Sequence, residues 1–225
     1  DTSLAFGKRE FVPHPASFLI RVSNTLIQNA PEVDAIVRSE LVAEVAKNLE
    51  EAYMTGDGVN KPLGVFTAGA NGISTARDVA TDNTATAVTF NGLIEAKYAI
   101  KSQYQPNTKW LFHRDAVKML AKIKDSDGQY IWQPSVVAGT PDMLLGKPVM
   151  MSEYVPHTFS ANQYVGMLGD FSNYWICDGQ DMFIQVLREK YALTNQIGYI
   201  GRLATDGMAV LDEPFVRINL AASSS

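Results

Sequence analysis

One long helix, predicted over residues 31–55, constrains the fold more than any other feature of the chain. Pro31 and the acidic residues after it are typical of a first helical turn, with Asn29 or Ala30 as the cap. Gly56 is typical of the residue that ends a helix. At about 1.5 Å per residue this helix is about 37 Å long, which is longer than the usual helix of a globular protein. Its apolar residues recur at the spacing of one helix face: Val33, Ile36, Val37, Leu41, Val45, Leu49 and Ala52.

The segment before this helix, residues 4–27, is predicted to form strands at the edge of a sheet or in an arm. It alternates in places between apolar and polar residues, with Phe11 and Phe18 among the apolar ones. Pro13 and Pro15 interrupt it, and a proline has no N–H to donate to the interior of a sheet. An edge position follows from those two prolines.

The rest of the chain is predicted to combine two shorter helices with a sheet-rich second half. One helix opens at Asn91, a short strand covers residues 110–112, and a second helix covers residues 114–124. From residue 147 onward the pattern is mostly that of strands. Residues 67–88 are rich in Ala, Thr, Gly and Asn and are predicted to be a flexible loop or weak hairpin. Because helices and strands do not alternate regularly, the fold class is predicted to be α+β.

Composition and charge exclude several classes of protein. The 225 residues are 46% hydrophobic and 19% charged, as in an ordinary globular protein. Lys and Arg number 19 against 24 Asp and Glu, a net charge of −5, and no basic block is present, so we expect no tight DNA binding. The lone cysteine, Cys177, excludes an intramolecular disulfide and favours a reducing compartment.

The chain carries neither a membrane-span pattern nor a signal-peptide pattern. No run of 18 or more apolar residues occurs, so we expect no contact with a membrane. The N-terminus lacks a basic stretch followed by an apolar one. Since the first residue is Asp rather than Met, we expect the chain to be processed, trimmed or partial.

The glycine-rich stretch TGDGVNKPLG does not match a phosphate-binding loop. That loop needs Gly-Lys followed by Ser or Thr, whereas Lys61 comes before Gly64 and is followed by Pro62. A dinucleotide-binding loop follows a strand, whereas this stretch follows a helix. We therefore expect no nucleotide and no other cofactor.

No metal-binding pattern is complete either. Asp125 could open a calcium loop, but Val136 stands where the bidentate Glu is needed, so a solvated turn is predicted there. The histidines are too far apart for ligand spacing, and no metal residues are assigned. They are His14, His113 and His157.

No catalytic residues are assigned, and we expect the protein not to be an enzyme. His113 lies between a strand and a helix, where a turn or cap role is the better interpretation. Cys177 lies in the apolar run YWIC and is predicted to be a buried small hydrophobe. Four carboxylates could pair as acid and base, but the sequence brings no two together: Glu10, Glu153, Asp170 and Asp178.

Four segments together resemble the major capsid protein of tailed bacteriophages or prophages, the HK97-fold family. The first runs from FGKREF through the long helix to TGDGVNKPLGVF, and the others are WLFHRDAVKMLAKIKDSDGQYIWQP, LLGKPVMMSEYVP and GRLATDGMAVLDEPFVRI. They span nearly the whole chain. Each is weak alone, and the combination is fairly specific.

The resemblance implies an HK97-like capsid fold with a peripheral and an axial domain. Residues 1–17 are similar to a remnant of the family's extended loop, and residues 18–88 to the peripheral domain with its spine helix at 31–55. Residues 89–190 are similar to the axial domain, and residues 191–225 to the return into the peripheral domain. By the same resemblance, we expect the family's N-terminal arm and most of its extended loop to be absent from this sequence.

The implied function is structural. By the resemblance, the protein is a shell subunit that assembles into pentamers and hexamers of an icosahedral phage head enclosing DNA. It would be located in the virion, and in the host cytoplasm during assembly. Contact with packaged DNA would be weak and non-specific, which suits the acidic net charge, and scaffold, portal and protease are further possible partners.

Subunit contacts are expected at three places. Arg9 and Glu10 lie on the predicted arm, and Gly58 and Lys61 lie in the TGDGVNKPLG turn. Tyr130 and Trp132 follow the third predicted helix, where an aromatic side chain could anchor an interface or a core.

Some family members join subunits through an isopeptide bond between Lys and Asn, assisted by a Glu. Asn195 lies in about the right region, but GYIGR (residues 198–202) stands where the Glu is expected, and Lys8 is a poor substitute for the family's lysine. We therefore expect no cross-linking. Two alternatives remain open: an encapsulin-like nanocompartment shell with the same fold, and a small hydrolase, which a cleft holding His113 beside a carboxylate would favour.

Overall fold

The structure is a computed structural model that describes residues 8–30, 32–69, 71–125, 127–132 and 142–223. It divides into two compact units, with boundaries between Gly64 and Val65, between Trp175 and Ile176, and between Met208 and Ala209. Unit 1 consists of residues 1–64 and 176–208, and unit 2 consists of residues 65–175 and 209–225. Unit 1 contains the long helix, and unit 2 contains the larger sheet.

Four α-helices and nine β-strands occur in the described residues, together with four short 3₁₀ turns. The helices are α1 Asn24–Asn29, α2 Val33–Thr55, α3 Phe90–Tyr98 and α4 Arg114–Ala121. The strands are β1 His14–Ser23, β2 Asp78–Val79, β3 Lys109–Phe112, β4 Met143–Leu144, β5 Lys147–Met151, β6 Tyr164–Gly169, β7 Tyr174–Leu187, β8 Gln196–Ala209 and β9 Phe215–Asn219.

Unit 1 packs α2 on a three-stranded sheet of order β1-β8-β7. Strand β1 is antiparallel to β8, with His14 opposite Thr205 and Ser23 opposite Gln196. Alternate residues of β1 face inward because side chains along a strand point to opposite faces. The core of the unit combines Leu41 of α2 with apolar side chains from all three strands: Phe18, Ile20, Val22, Ile197, Tyr199, Met182 and Ile184.

The long helix and the edge strand are confirmed, while the segment between them differs from the prediction. Helix α2 ends at Thr55, and the N–H of Gly56 donates to the carbonyl of Ala52 at 2.9 Å. Glu32 precedes the helix without a side-chain cap, so the predicted cap at residues 29–30 is wrong. Residues 24–27 belong to α1 rather than to a strand.

Unit 2 is built on a six-stranded sheet of order β2-β9-β6-β3-β5-β4. The pairs β2/β9 and β3/β5 are parallel, and the remaining neighbours are antiparallel. Mixed pairing with segregated helices confirms the α+β prediction. Helices α3 and α4 contribute to the core with Leu93, Ala96, Ala116 and Leu120, which pack with the following strand and loop residues: Trp110, Phe112, Trp132, Leu144, Val165, Leu168, Val216, Ile218 and Leu220.

The segment predicted as a loose connection, residues 67–88, is more ordered than its composition indicates. It contains β2, and the buried Asn83 donates to the carbonyl of Asn219 at 3.1 Å and accepts from the N–H of Thr89 at 3.1 Å. Thr89, rather than the predicted Asn91, caps α3 by accepting from the N–H of Gly92. The buried side-chain amide of Asn83 therefore anchors this polar segment, whose sequence has no periodic apolar residues to predict a helix or strand.

The two units do not share the bounds of the domains inferred from the sequence resemblance. Residues 65–88 lie in unit 2, residues 176–190 lie in unit 1, and the chain after Met208 lies in unit 2. Correspondence of the units with family domains stays a prediction.

Candidate subunit-interaction surfaces

The TGDGVNKPLG turn after α2 is a closed loop held by hydrogen bonds within it and by one to β8. Asp57 accepts from the N–H of Val59 at 3.0 Å and forms a bridge with Leu63. The N–H of Gly64 donates to the carbonyl of Gly56 at 2.9 Å, and the N–H of Leu63 donates to the carbonyl of Gly207 at 2.8 Å. The loop is thereby fixed at both ends.

Both candidate contact residues of this loop are exposed. Gly58 has a φ of +76°, a left-handed conformation that glycine adopts without strain. The ammonium of Lys61 lies 3.6 Å from the carboxylate of Asp57, and its side chain is half exposed. The backbone N–H of Val59 and the nearby Lys61 hold the pKa of Asp57 below its usual value. The loop thus presents a fixed, charged surface.

The segment that carries Arg9 and Glu10 is anchored just before β1. The N–H of Val12 donates to a carboxylate oxygen of the buried Asp206 at 2.8 Å. Glu10 is exposed and pairs with Lys8 at 3.1 Å, while Arg9 is partly exposed. Asp206 therefore fixes where this charged segment leaves unit 1.

Tyr130 and Trp132, two residues apart, have opposite environments. Tyr130 is 52% exposed, and the ammonium of Lys124 lies 4.9 Å from its ring centroid. Trp132 is 8% exposed, packs in the core of unit 2, and donates its indole N–H to the carbonyl of Met143 at 2.7 Å. Of the two roles left open for Trp132, the structure favours the core anchor, and Tyr130 alone offers surface.

A charged cluster in unit 1 joins α2 to the sheet. The hydroxyl of Tyr199 donates to the carboxylate of Asp34 at 2.5 Å, and Arg38 donates to the same carboxylate at 2.8 Å. The Tyr199 bond, followed by the Arg38 bond, lowers the pKa of Asp34. Burial, followed by the bond to Asp34, raises the pKa of Tyr199.

A second cluster in unit 2 surrounds a fully buried arginine. Arg217 donates through Nε to Asp78 at 2.7 Å, and its guanidinium carbon lies 4.7 Å from the ring centroid of Tyr164. The Tyr164 hydroxyl donates to the other oxygen of Asp78 at 2.7 Å. Burial and the Asp78 bond raise the pKa of Tyr164 to about 12. Sequence reasoning missed this cluster because its members lie far apart along the chain.

His113 satisfies the turn-cap prediction and lies beside a carboxylate. Its Nδ1 accepts from the N–H of Asp115 at 3.1 Å, which caps α4, and its Nε2 lies 3.3 Å from Glu153. Its ring stacks on that of His157 with centroids 4.1 Å apart and is 3% exposed. A buried ring with both nitrogens engaged is a structural histidine rather than an open catalytic base.

The other carboxylates and histidines singled out from the sequence do not converge. Asp170 is buried and accepts from the N–H and hydroxyl of Ser172, whereas Glu10 and Asp178 are exposed. In the described part of the chain, no group of three or more His, Cys, Asp or Glu side chains is arranged to hold a metal ion.

Two smaller predictions have different outcomes. Asp125 accepts from the N–H groups of Asp127 and Gln129, which confirms the solvated turn, while Val136 lies outside the described residues. Cys177 is only half buried on β7, so the prediction of a buried hydrophobe is wrong. The apolar run around it lies on a strand whose Trp175 and Ile176 are more than half exposed.

Asn195, the residue considered for cross-linking, closes the turn between β7 and β8. It has a left-handed φ of 52°, accepts from the side-chain amide of Asn24 at 3.3 Å and donates to the hydroxyl of Thr25 at 3.2 Å. Both partner groups, an amide and a hydroxyl, are uncharged.

Membrane insertion has no support in the described helices, none of which is both long and apolar enough to cross a bilayer. The candidate contact surfaces are the fixed charged loop after α2, the charged segment before β1 and the exposed Tyr130. The candidate catalytic residues considered above do not form an open catalytic site.

Comparison with protein families identifies the class. A model of the phage capsid family matches residues 1–220. The chain belongs to the phage capsid family. A search of curated protein sequences finds no significant match.

Solved structures of capsids and of an encapsulin share the fold of this phage capsid protein. The capsid of a native GTA particle computed with C5 symmetry matches with a TM-score of 0.81 and 23% identity, covering 94% of this chain and 74% of that one. Gordonia phage Cozz matches with a TM-score of 0.66 and 16% identity over 99% of this chain and 79% of that one. The holo-SrpI encapsulin complex from Synechococcus elongatus matches with a TM-score of 0.68 and 14% identity over 96% and 77%.

Family and fold together establish a structural protein. The expected HK97-like capsid fold is confirmed, and so is the role of a major capsid shell subunit that assembles with other subunits in a virion. The family is structural, in agreement with the expectation that the protein is not an enzyme.

Proposed function

We propose that this protein forms the pentamers and hexamers of an icosahedral phage head that encloses DNA. The observation that carries the proposal is the family match over residues 1–220 in a chain whose fold matches capsids from whole particles. Scaffold, portal and protease act as its transient partners, and assembly takes place in the host cytoplasm.

Unit 1 corresponds to the peripheral domain and unit 2 to the axial domain in this proposal. The correspondence rests on α2, which lies in unit 1 and covers most of the segment whose sequence resembles the family's spine helix. It also rests on the mixed six-stranded sheet in unit 2. With the observed bounds, residues 65–88 and the chain after Met208 are assigned to the axial domain.

Subunit contacts in this proposal use the members of the candidate set that are exposed or, for Arg9, partly exposed. They are Arg9 and Glu10 before β1, Gly58 and Lys61 in the fixed loop, and Tyr130 beside Lys124. Charged residues at a rim favour correct partners and fast encounter more than they add affinity. Trp132 is left out because it is buried within its own subunit.

Cross-linking by Asn195 is not part of the proposal. Its side chain contacts Asn24 and Thr25, which are neutral, and GYIGR (residues 198–202) stands where a helping Glu is expected. Denaturing mass spectrometry of assembled particles should give the mass of a single chain. A ladder of covalent multimers, each bond lighter by one ammonia, would contradict this expectation.

The contents of the particle distinguish the phage head from the encapsulin-like alternative. Particles should be purified from cells that make the complete phage or prophage, treated with nuclease, and then opened. The proposal predicts nuclease-protected DNA inside. Particles that hold a single enzyme and no DNA would instead support a nanocompartment.

A further inference from the structure

An apolar groove lies on unit 1 between α2 and β7. It has a volume of about 230 Å³. Val42, Ala46 and Leu49 line the helix side, and Val42 is 48% exposed although it is apolar. Exposed apolar surface of this kind, bordered by polar residues, is typical of a protein interaction site.

The rim of this groove is acidic. Asp178 and Asp181 of β7 line it and are exposed, together with Gln180. An occupant that matches both features has an apolar tip and a positive charge beside it.

The loop between β7 and β8 on the same unit has these two properties. Leu193 is 103% exposed, so its whole side chain projects into solvent. Arg188 and Lys190 precede it, and both are exposed. With Glu189 as the only acid, the loop formed by residues 188–195 has a net charge of +1.

This loop cannot reach the groove of its own chain. Strand β7 runs from the groove at Asp181 to its end at Leu187, so about 20 Å of paired strand separates the two sites at about 3.3 Å per residue. The strand is paired with β8 in the sheet and cannot bend back. A contact between loop and groove therefore requires two copies.

We propose that the Leu193 loop of one subunit docks in the groove between α2 and β7 of a second copy. Leu193 packs against Val42, Ala46 and Leu49, and Lys190 faces Asp181. The proposal rests on the proposed shell function. Because the Leu193 loop and the groove are different patches of the surface, the contact is heterologous. Such a contact repeats head to tail, as ring-forming or shell-forming contacts do.

Cysteine pairing tests the contact in assembled particles. Leu193→Cys is combined with Ala46→Cys in a Cys177→Ala background of the complete protein, and mild oxidation is followed by non-reducing electrophoresis. The expected result is a ladder of covalent multimers, because each copy links to the next. The matched control pairs Leu193→Cys with Glu44→Cys, which lies two residues from Ala46 on another face of α2 and should give no ladder.

Charge reversal gives an independent readout. Lys190→Glu should raise the protein concentration needed for assembly, and adding Asp181→Lys should restore it toward the original value. Leu193→Asp should raise that concentration by roughly tenfold or more, since it removes the apolar Leu193 side chain and adds a negative charge that the acidic rim of the groove repels. Leu211→Asp, at a similarly apolar but 45% exposed position outside the loop, is the control.

Electron microscopy of the same samples separates the two proposals. Particles without a Leu193–Ala46 ladder, or dimers from Leu193→Cys alone, would overturn the docking contact while leaving the shell function standing. Absence of particles from the unsubstituted complete protein would overturn the shell function and the contact with it.

Discussion

At the scale of single residues, the buried Arg217 is the most consequential polar group in unit 2. Only its Nε has a partner, Asp78, and both terminal nitrogens lack a hydrogen-bond partner among the described residues. Removing one member of a buried ion pair leaves an uncompensated charge and costs about 3–5 kcal/mol. Asp78→Asn should therefore lower the free energy of unfolding by about that amount in urea titrations.

Asp82→Asn is the matched control for that substitution. Asp82 lies four residues away and is exposed, so its replacement should change stability by less than about 0.5 kcal/mol. Equal stabilities of the two variants would show that the Arg217 cluster does not hold β2 to the sheet.

Tyr164 in the same cluster predicts a dependence of stability on alkaline pH. Its pKa in the folded protein is about 12, above the ordinary value of 10.0, because burial and the Asp78 bond favour the neutral phenol. A raised pKa contributes stability that is fully present below pH 10 and is lost as pH rises from 10 to about 12. Tyr164→Phe should show a shallower decline over this range in denaturation measurements, and an unchanged slope would contradict the assignment.

At the scale of elements, the loop after α2 depends on close backbone approach at Gly64. A Cβ there would lie 2.5 Å from the carbonyl oxygen of Met54 and 2.6 Å from the N atom of Gly56. Both neighbours are backbone atoms, so the loop would have to shift. Gly64→Ala should therefore destabilise the protein by more than 1 kcal/mol or so, as strained Gly→Ala changes do.

Gly69→Ala provides the control for the loop. A Cβ at Gly69 would meet no atom within 4 Å, and a glycine with ordinary φ gains stability on change to alanine by reducing the freedom of the unfolded chain. Thermal unfolding of both variants checks the pair. A Gly64→Ala protein as stable as Gly69→Ala would mean that the loop tolerates displacement.

Elements with a local signal could be predicted from the sequence, and those held by distant partners could not. Helix α2 follows from its periodicity and Gly56, and the edge position of β1 follows from Pro13 and Pro15. Strand β2 has only two residues, and its order comes from Arg217, 139 positions away. No local pattern carries such a pairing.

The same distinction applies to the candidate surfaces. Gly58 and Lys61 were identified because a turn motif is contiguous in sequence, and both are exposed. The sequence does not assign Trp132 to core or surface, since an aromatic residue suits either. Its burial in the core of unit 2 and its bond to Met143 decide in favour of the core. The groove beside α2 combines residues of three elements, so no single segment indicates it.

At the scale of the whole molecule, this chain is a subunit of a capsid shell. In the proposed shell, the surfaces that bind other copies are the fixed charged loop after α2, the exposed Leu193 and the apolar groove between α2 and β7. Contacts between different patches of identical subunits close into rings or continue as a lattice.

Negative-stain electron microscopy with size-exclusion light scattering on the complete protein is the decisive test of assembly into a closed shell. We expect closed shells, or rings of five or six subunits, with a mass that is the corresponding multiple of one chain. A protein that remains strictly monomeric at every concentration at which phage capsid subunits are expected to assemble would contradict it.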